Sequence, residues 1–196
     1  MTEPPEDAPH NRREIFHHGF RRLMEPLAEY LADRLDVELP VERTVLRPPG
    51  ALPEKEFLDR CYRCGNCVDV CPAHAIKSTA TDEVETSGTP YIDPDLAACV
   101  VCDELACVRA CPSGALESIV SPAEIDMGLA RVQPDLCLRE QGEDCTSCVD
   151  KCPLGSDAIA VGDGGLIEAS PDGCVGCGVC QFFCPTTPKA ITIEPS

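Results

Sequence analysis

Sixteen cysteines are the residues of this 196-residue chain best suited to chemistry, and they fall into four groups that each end in Cys-Pro. The first group has the spacing Cys-x2-Cys-x2-Cys-x3-Cys-Pro, and the fourth group repeats it. The second and third groups each have one lengthened gap, of four and of seven residues. The sixteen are Cys61, Cys64, Cys67, Cys71, Cys99, Cys102, Cys107, Cys111, Cys137, Cys145, Cys148, Cys152, Cys174, Cys177, Cys180 and Cys184.

So many cysteines indicate either disulfides or metal binding. Arg12 and Arg13 resemble a twin-arginine export signal, but the charged stretch after them lacks its apolar region. We therefore predict a reducing compartment and metal binding. The spacing is that of bacterial ferredoxins, in which the fourth cysteine ligates the neighbouring cluster, whereas zinc ribbons lack a third close cysteine. All sixteen are predicted ligands of four 4Fe–4S clusters; a buried free thiol is the alternative for Cys137.

The elements that must position these cysteines repeat along the chain. The groups begin 38, 38 and 37 residues apart, which marks an internal repeat. A short apolar or β-branched segment follows each Cys-Pro, and another precedes each of the last three groups, at 90–92, 130–132 and 166–169. We predict an α+β fold with two ferredoxin-like, two-cluster units of short strands and helices over residues 57–196.

The segment before the first cysteine has a different composition. Apolar residues at helical spacing between Asn11 and Leu35 predict an amphipathic helical docking segment over 1–38, with a kink at Pro26. It is predicted to pack across the ferredoxin units or to clasp a membrane-bound partner, with a membrane surface as the third alternative. Residues 39–56 are Pro-rich and are predicted to form an extended linker.

Charge and motifs exclude several classes of function. The formal net charge of −18 opposes binding to nucleic acid or acidic membranes and suits basic surfaces of redox partners, or serves solubility alone. No transmembrane run, catalytic triad, phosphate loop or dinucleotide fingerprint is present. We therefore predict an electron carrier without its own substrate site, and not an enzyme.

Several stretches of the chain resemble the MauM/NapG family of ferredoxin-type proteins. These are Arg47-Pro48-Pro49-Gly50-Ala51-Leu52, the whole second cysteine group through Leu116, Met127-Gly128-Leu129-Ala130, and the wide gap from Cys137 to Cys145. The resemblance implies a polyferredoxin in a quinol-oxidising route, between a membrane-bound redox partner of iron–sulfur or cytochrome type and an oxidoreductase. Because the apolar export stretch is missing, we expect a peripheral position at the cytoplasmic face of the membrane. The periplasm, as in the resembled family, is the alternative.

Two questions stay open at the level of the sequence. The groups can exchange their fourth cysteines sequentially, first with second and third with fourth, or in a nested order, first with fourth and second with third. We favour the nested order by analogy with the four-cluster subunits of membrane formate dehydrogenases and dimethyl-sulfoxide-type reductases. The relay has two alternatives in function: the iron–sulfur subunit of a larger oxidoreductase, with a catalytic partner chain, and an assembly factor for one.

Overall fold

Short antiparallel strands and helices of one or two turns make up the described part of the chain. The computed structural model describes residues 43–80, 84 and 86–196. The helices are α1 (Glu54–Arg60), α2 (Asn66–Asp69), α3 (Ala106–Arg109), α4 (Ser147–Asp150) and α5 (Val179–Phe183). The strands are β1 (Ile76–Ser78), β2 (Pro90–Ile92), β3 (Gly128–Val132), β4 (Ile159–Val161), β5 (Ile167–Ala169) and β6 (Ile191–Pro195). This is the predicted α+β class.

Two strand pairs organise the second half of the chain, residues 128–196. β4 and β5 form an antiparallel hairpin with Ile159 opposite Ala169, closed by a glycine-rich turn in which the Gly162 N–H donates to the Leu166 carbonyl. β3 pairs antiparallel with β6, with Ala130 opposite Ile193. Alternation places Ile159 and Ile167 in the core, as half-buried strands require.

The first half, residues 43–127, repeats this plan with fewer residues in regular strands. β1 and β2 form an antiparallel pair with Ile76 opposite Ile92. In the position that β3 and β6 occupy in the second half, an isolated antiparallel bridge joins Ala51 to Leu116. Two backbone hydrogen bonds support it: the Leu52 N–H donates to the Ala115 carbonyl and the Glu117 N–H to the Gly50 carbonyl.

The prediction of a linker over 39–56 is wrong for its described part, from residue 43. Leu46 and Leu52 are buried, and the Ile92 N–H donates to the Leu46 carbonyl at 2.8 Å. Residues 54–56 already belong to α1. The stretch is extended, as its prolines require, but it takes the place of the first strand of a folded unit because its apolar residues are covered by the first half's core.

Arg47 anchors this stretch from inside the protein. Its side chain is 1% exposed and forms an ion pair with Glu54, with Nη2 2.5 Å from Oε1. The guanidinium also donates to the Thr89 hydroxyl and the Pro90 carbonyl, and it lies 4.8 Å from the centre of the Phe57 ring. A buried guanidinium is tolerated only when its donors are satisfied, and these partners satisfy most of them.

Two apolar cores lie one in each half, and one loop of the second half enters the core of the first. The first core holds Phe57, Ile76 and Met127, and the second holds Ile159 and Ile191. Three residues from the fourth cysteine group are members of the first core: Val175, Cys177 and Val179. The two halves are therefore joined by burial of this loop.

The predicted helical segment over residues 1–38 lies outside the described residues and stays a prediction. In the described part of the chain, no helix is long and apolar enough to cross a bilayer. The strand-like segments predicted at 90–92, 130–132 and 166–169 are confirmed as β2, β3 and β5, and the apolar segments predicted after the last two Cys-Pro pairs form β4 and β6.

Candidate iron–sulfur sites

The sixteen cysteines gather into four quartets, each made of three cysteines from one group and the fourth cysteine of another. Quartets A, B and D each line one hollow, and the thiols of quartet C are electrostatic neighbours. Quartet A is Cys61, Cys64, Cys67 and Cys111; quartet B is Cys71, Cys99, Cys102 and Cys107; quartet C is Cys152, Cys174, Cys177 and Cys180; quartet D is Cys137, Cys145, Cys148 and Cys184.

The fourth cysteines are therefore exchanged between consecutive groups, and the nested pairing favoured from the sequence is wrong. Cys111 lies with the first group and Cys71 with the second. The reason is that antiparallel pairing reverses the direction of the chain between consecutive groups. The β1–β2 pair turns the chain back after Cys71 so that the second group meets it, and the bridge between Ala51 and Leu116 turns Cys111 back to the first group. Short antiparallel connections make consecutive segments neighbours in space.

Quartets A, B and D each surround a space instead of converging on a point. Within residues 43–80, 84 and 86–196, no three His, Cys, Asp or Glu side chains are close enough to hold one metal ion. The thiols of quartets A, B and D instead line the walls of hollows. A cluster of several irons needs one thiolate at each of four corners, so these donor sets fit a 4Fe–4S cluster and do not fit a structural zinc ion.

The pKa values of the thiols show the cost of gathering them without metal. Burial, and then the neighbouring Cys61, Cys111 and Cys64, raise the pKa of Cys67 to about 11. Burial raises the pKa of Cys177 to about 12, although a backbone hydrogen bond from Val179 opposes it. Ligation requires the thiolate, so bound metal must supply the positive charge that these sites otherwise lack.

Backbone amides point at several sulfur atoms and oppose the effect of burial. Hydrogen bonds from Val101 to Cys99, from Val108 to Cys107 and from Gln181 to Cys180 lower thiol pKa values that burial raises. Amide donors of this kind stabilise negative charge on ligating sulfur and tune the cluster. Val108 lies on α3 and Gln181 on α5, whereas Val101 lies in the loop between Cys99 and Cys102.

Two cysteines have a pKa held below the ordinary value of a thiol, and a side-chain hydroxyl contacts each of them. Burial raises the pKa of Cys111, but the Ser113 hydroxyl and nearby backbone amides outweigh burial and hold that pKa below its ordinary value. The pKa of Cys184 is lowered in the same way, against burial, by Thr186 and backbone amides. Sequence reasoning missed both hydroxyls. The sequence feature that could have revealed them is their common position, two residues after the cysteine of a Cys-Pro pair.

The quartets follow one another in the spatial order A, B, C, D. Cys67 of quartet A is an electrostatic neighbour of Cys107 in quartet B. Cys99 of quartet B is a neighbour of Cys177 in quartet C, and the Cys99 N–H donates to the Cys177 carbonyl at 3.0 Å. Cys148 of quartet D is a neighbour of Cys180. Quartets B and C are thus the inner pair, and A and D are the two ends.

A junction between the halves fixes the inner pair. Gln181 on α5 donates to Asp95 at 2.9 Å across the halves and accepts the Ile193 N–H with its amide oxygen. The Met127 N–H donates to the Val175 carbonyl at 3.2 Å. Gly178 lies against Pro94 so closely that a β-carbon there would stand 2.8 Å from the proline ring.

Two family models of 4Fe–4S domains match the cysteine-rich part of the chain. A family model described as a 4Fe–4S dicluster domain matches residues 60–115, and one described as a 4Fe–4S binding domain matches residues 171–187. The first match covers the first and second cysteine groups together, which form quartets A and B.

Three ferredoxin-type proteins from other organisms are similar to most of the chain. The methylamine utilization ferredoxin-type protein MauM of Methylobacillus flagellatus is 38% identical over 161 residues, 78% of this chain and 69% of that protein. MauM of Methylophilus methylotrophus is 34% identical over 195 residues, 94% of this chain and 86% of that protein. The ferredoxin-type protein NapG of Escherichia coli is 36% identical over 162 residues, 76% of this chain and 70% of that protein.

Proposed function

Because this chain belongs to the MauM/NapG family of ferredoxin-type proteins, we propose that it relays single electrons through four 4Fe–4S clusters, one in each cysteine quartet. The family makes it an iron–sulfur electron-transfer protein with multiple 4Fe–4S clusters. The observation that carries the number four is the assembly of all sixteen cysteines into quartets A to D.

A 4Fe–4S cluster supplies the capacity to take up or give up one electron without proton chemistry. The protein's own residues supply the rest. Four thiolates hold each site, backbone amides point at the sulfur atoms, and buried neighbours such as Val108 and Val175 exclude water. No group for covalent catalysis is needed for this role, so we propose a carrier without its own substrate site.

Each half of the described chain is proposed to be one two-cluster ferredoxin unit. The exchange of Cys71 and Cys111 within the first half, and of Cys152 and Cys184 within the second, supports this division. The hydrogen bond from Cys99 to Cys177 supports electron exchange between the units through quartets B and C. Quartets A and D then face the redox partners, and Cys64 of quartet A is already exposed to solvent.

The ligand assignment is tested by iron analysis of paired cysteine variants of the full-length holoprotein. Cys64→Ala combined with Cys111→Ala should lose the iron and sulfide of one cluster, because both residues belong to quartet A. Cys64→Ala combined with Cys71→Ala should lose those of two clusters. A nested exchange would instead make the first combination lose two, and unchanged iron in either combination would refute the quartets as cluster sites.

We propose that the partner at one end is a membrane-bound, quinol-linked redox complex. The support is family membership together with the acidic charge of −18, which suits a basic docking surface. Residues 1–38 are proposed as the docking segment. The proposed location is the cytoplasmic face of the membrane, with the periplasm as the alternative that cell fractionation would reveal.

This partner is tested with reduced quinol, membranes of the source organism and the anaerobic holoprotein. Loss of the visible cluster absorbance on mixing is expected, and deletion of residues 1–38 should abolish it while dithionite still bleaches the protein. Absence of bleaching by quinol, with dithionite active, would reject the quinol-linked partner and favour a subunit of a larger oxidoreductase.

A further inference from the structure

Within the part of the chain that the structure describes, side-chain hydroxyls contact cysteines of the two end quartets and not those of the inner pair. The Ser113 oxygen lies 3.5 Å from the sulfur of Cys111 in quartet A. The Thr186 oxygen lies 3.2 Å from the sulfur of Cys184 in quartet D. Each of these cysteines is the one supplied to its quartet by a distant group, and each hydroxyl stands two residues after it.

In both contacts the hydroxyl must be the donor once the cysteine ligates metal, because a thiolate has no proton to donate. The Ser113 oxygen accepts the Ala115 N–H at 3.3 Å, and the Thr186 oxygen accepts the Ala190 N–H at 2.8 Å. A hydroxyl has a single proton to donate. With its oxygen occupied as an acceptor, that proton is free to point at the cysteine sulfur, which accepts when it ligates metal as a thiolate.

The inner quartets have apolar residues at the matching positions. Ala73 follows Cys71 of quartet B by two residues, and Leu154 follows Cys152 of quartet C. Among the described residues, no side-chain hydroxyl is hydrogen-bonded to a thiol of either inner quartet. In quartet D a second hydroxyl, that of Ser147, lies 3.9 Å from the sulfur of Cys145. The hydroxyls thus mark the ends of the spatial order A, B, C, D.

On the proposed function as its premise, we propose that Ser113 and Thr186 raise the reduction potentials of the two end clusters. One-electron reduction places added negative charge on the cluster and its ligand sulfurs, and no proton or leaving group is involved. A donor to ligand sulfur therefore stabilises the reduced form more than the oxidised form. The clusters of quartets A and D therefore accept an electron more readily than they would without the two hydroxyls. These are the two clusters proposed to exchange electrons with the redox partners.

The test is an anaerobic redox titration of the full-length holoprotein, poised with dithionite and mediators and followed by electron paramagnetic resonance. Ser113→Ala should move one of the four midpoint potentials to a lower value, and Thr186→Val should lower a different one. Ser113→Thr and Thr186→Ser keep a hydroxyl and should restore the wild-type values. Ala73→Ser places a hydroxyl at an inner quartet and should raise a midpoint that neither loss variant moves.

The outcomes separate this inference from its premise. Wild-type protein with less iron and sulfide than four clusters require would defeat the proposed function before any potential is compared. Four intact clusters with the same midpoint potentials in the wild type, in Ser113→Ala and in Thr186→Val would overturn the role of the hydroxyls without contradicting the proposed relay. If Ser113→Ala does not assemble a cluster in quartet A, the Ala73→Ser variant provides the test instead. An unchanged midpoint potential for the inner cluster of that variant would overturn the inference.

Discussion

A methyl group added at Gly178 tests whether the junction between the halves fixes the inner quartets. Gly178 has φ +84 and directly precedes α5, and a β-carbon there would stand 2.8 Å from two carbons of Pro94. Gly65 is its counterpart in the first cysteine group. It has φ +79, directly precedes α2, and has no atom within 4 Å of a β-carbon position. Gly178→Ala and Gly65→Ala are therefore matched in backbone strain and differ in the junction contact; because Gly65 also lines the hollow of quartet A, iron analysis must first show four clusters in both variants.

The magnitude follows from these distances. Alanine in a left-handed conformation costs roughly 1–2 kcal/mol at either position. At Gly178 the proline ring must also move from 2.8 Å to the 3.4 Å at which ordinary contact begins, about 0.6 Å. Insertion of a methyl group into a packed site typically adds about 1–3 kcal/mol. We expect the free energy of unfolding of Gly178→Ala to be lower than that of Gly65→Ala by this packing cost of about 1–3 kcal/mol.

Two assays on the anaerobic holoprotein report the difference. Since about 1 kcal/mol lowers the melting temperature by roughly 2–4 °C in a chain of this size, Gly178→Ala should melt at least about 2 °C below Gly65→Ala at one scan rate. The magnetic interaction between the reduced clusters of quartets B and C should weaken in Gly178→Ala alone. Equal melting and equal spectra for the two variants would refute a junction that holds the inner pair at close contact.

Two further predictions concern stability. Glu54→Gln breaks the buried ion pair with Arg47 and should lower the free energy of unfolding by about 3–5 kcal/mol, because it leaves the guanidinium charge buried without its partner. The control is Glu194→Gln at the exposed pair with Arg131, which should lower it by at most about 1 kcal/mol. Equal losses of stability in thermal unfolding of the two variants would contradict the argument. Removal of iron by a chelator under reducing conditions should abolish the circular dichroism of the strands, with recovery on reconstitution with iron and sulfide. The iron supplies the positive charge that holds the clustered thiolates together, and without it the buried thiols have no partner. A folded metal-free chain would contradict the second prediction.

The positions of the short strands could be predicted because turn residues and apolar runs recur with the cysteine repeat. The segment 90–92 became β2 and the segment 166–169 became β5 with boundaries shifted by at most one residue. These elements are fixed by local sequence. Hydrophobic alternation over three to five residues, bounded by turn residues, is information that the segment itself carries.

Pairing of the quartets and the role of residues 43–53 could not be predicted in the same way. The first and fourth groups have identical spacing, so spacing alone allows Cys71 to reach either neighbour. The choice depends on hairpin closure between β1 and β2, a contact between segments. The extended stretch around Arg47 looked like a linker because its partners Glu54, Thr89 and Pro90 are separated from it by between 7 and 43 residues.

Yet the residues between the cysteines of these two identical motifs do distinguish them. The first group places Tyr62, Arg63 and Asn66 between its cysteines, and all three are exposed. The fourth group places Val175, Gly176 and Val179 at the same positions, and all three are buried.

Gly176 shows how strictly the second pattern is required. A β-carbon there would stand 2.5 Å from the backbone of Gly128, so no larger residue fits without displacing β3. Arg63 occupies the matching position with φ +54 and reaches the Ser87 carbonyl with its side chain. Polar residues keep one loop at the surface and make its quartet an end of the relay. Small and apolar residues allow the other loop to be covered by a second unit, and its quartet lies inside the relay for that reason.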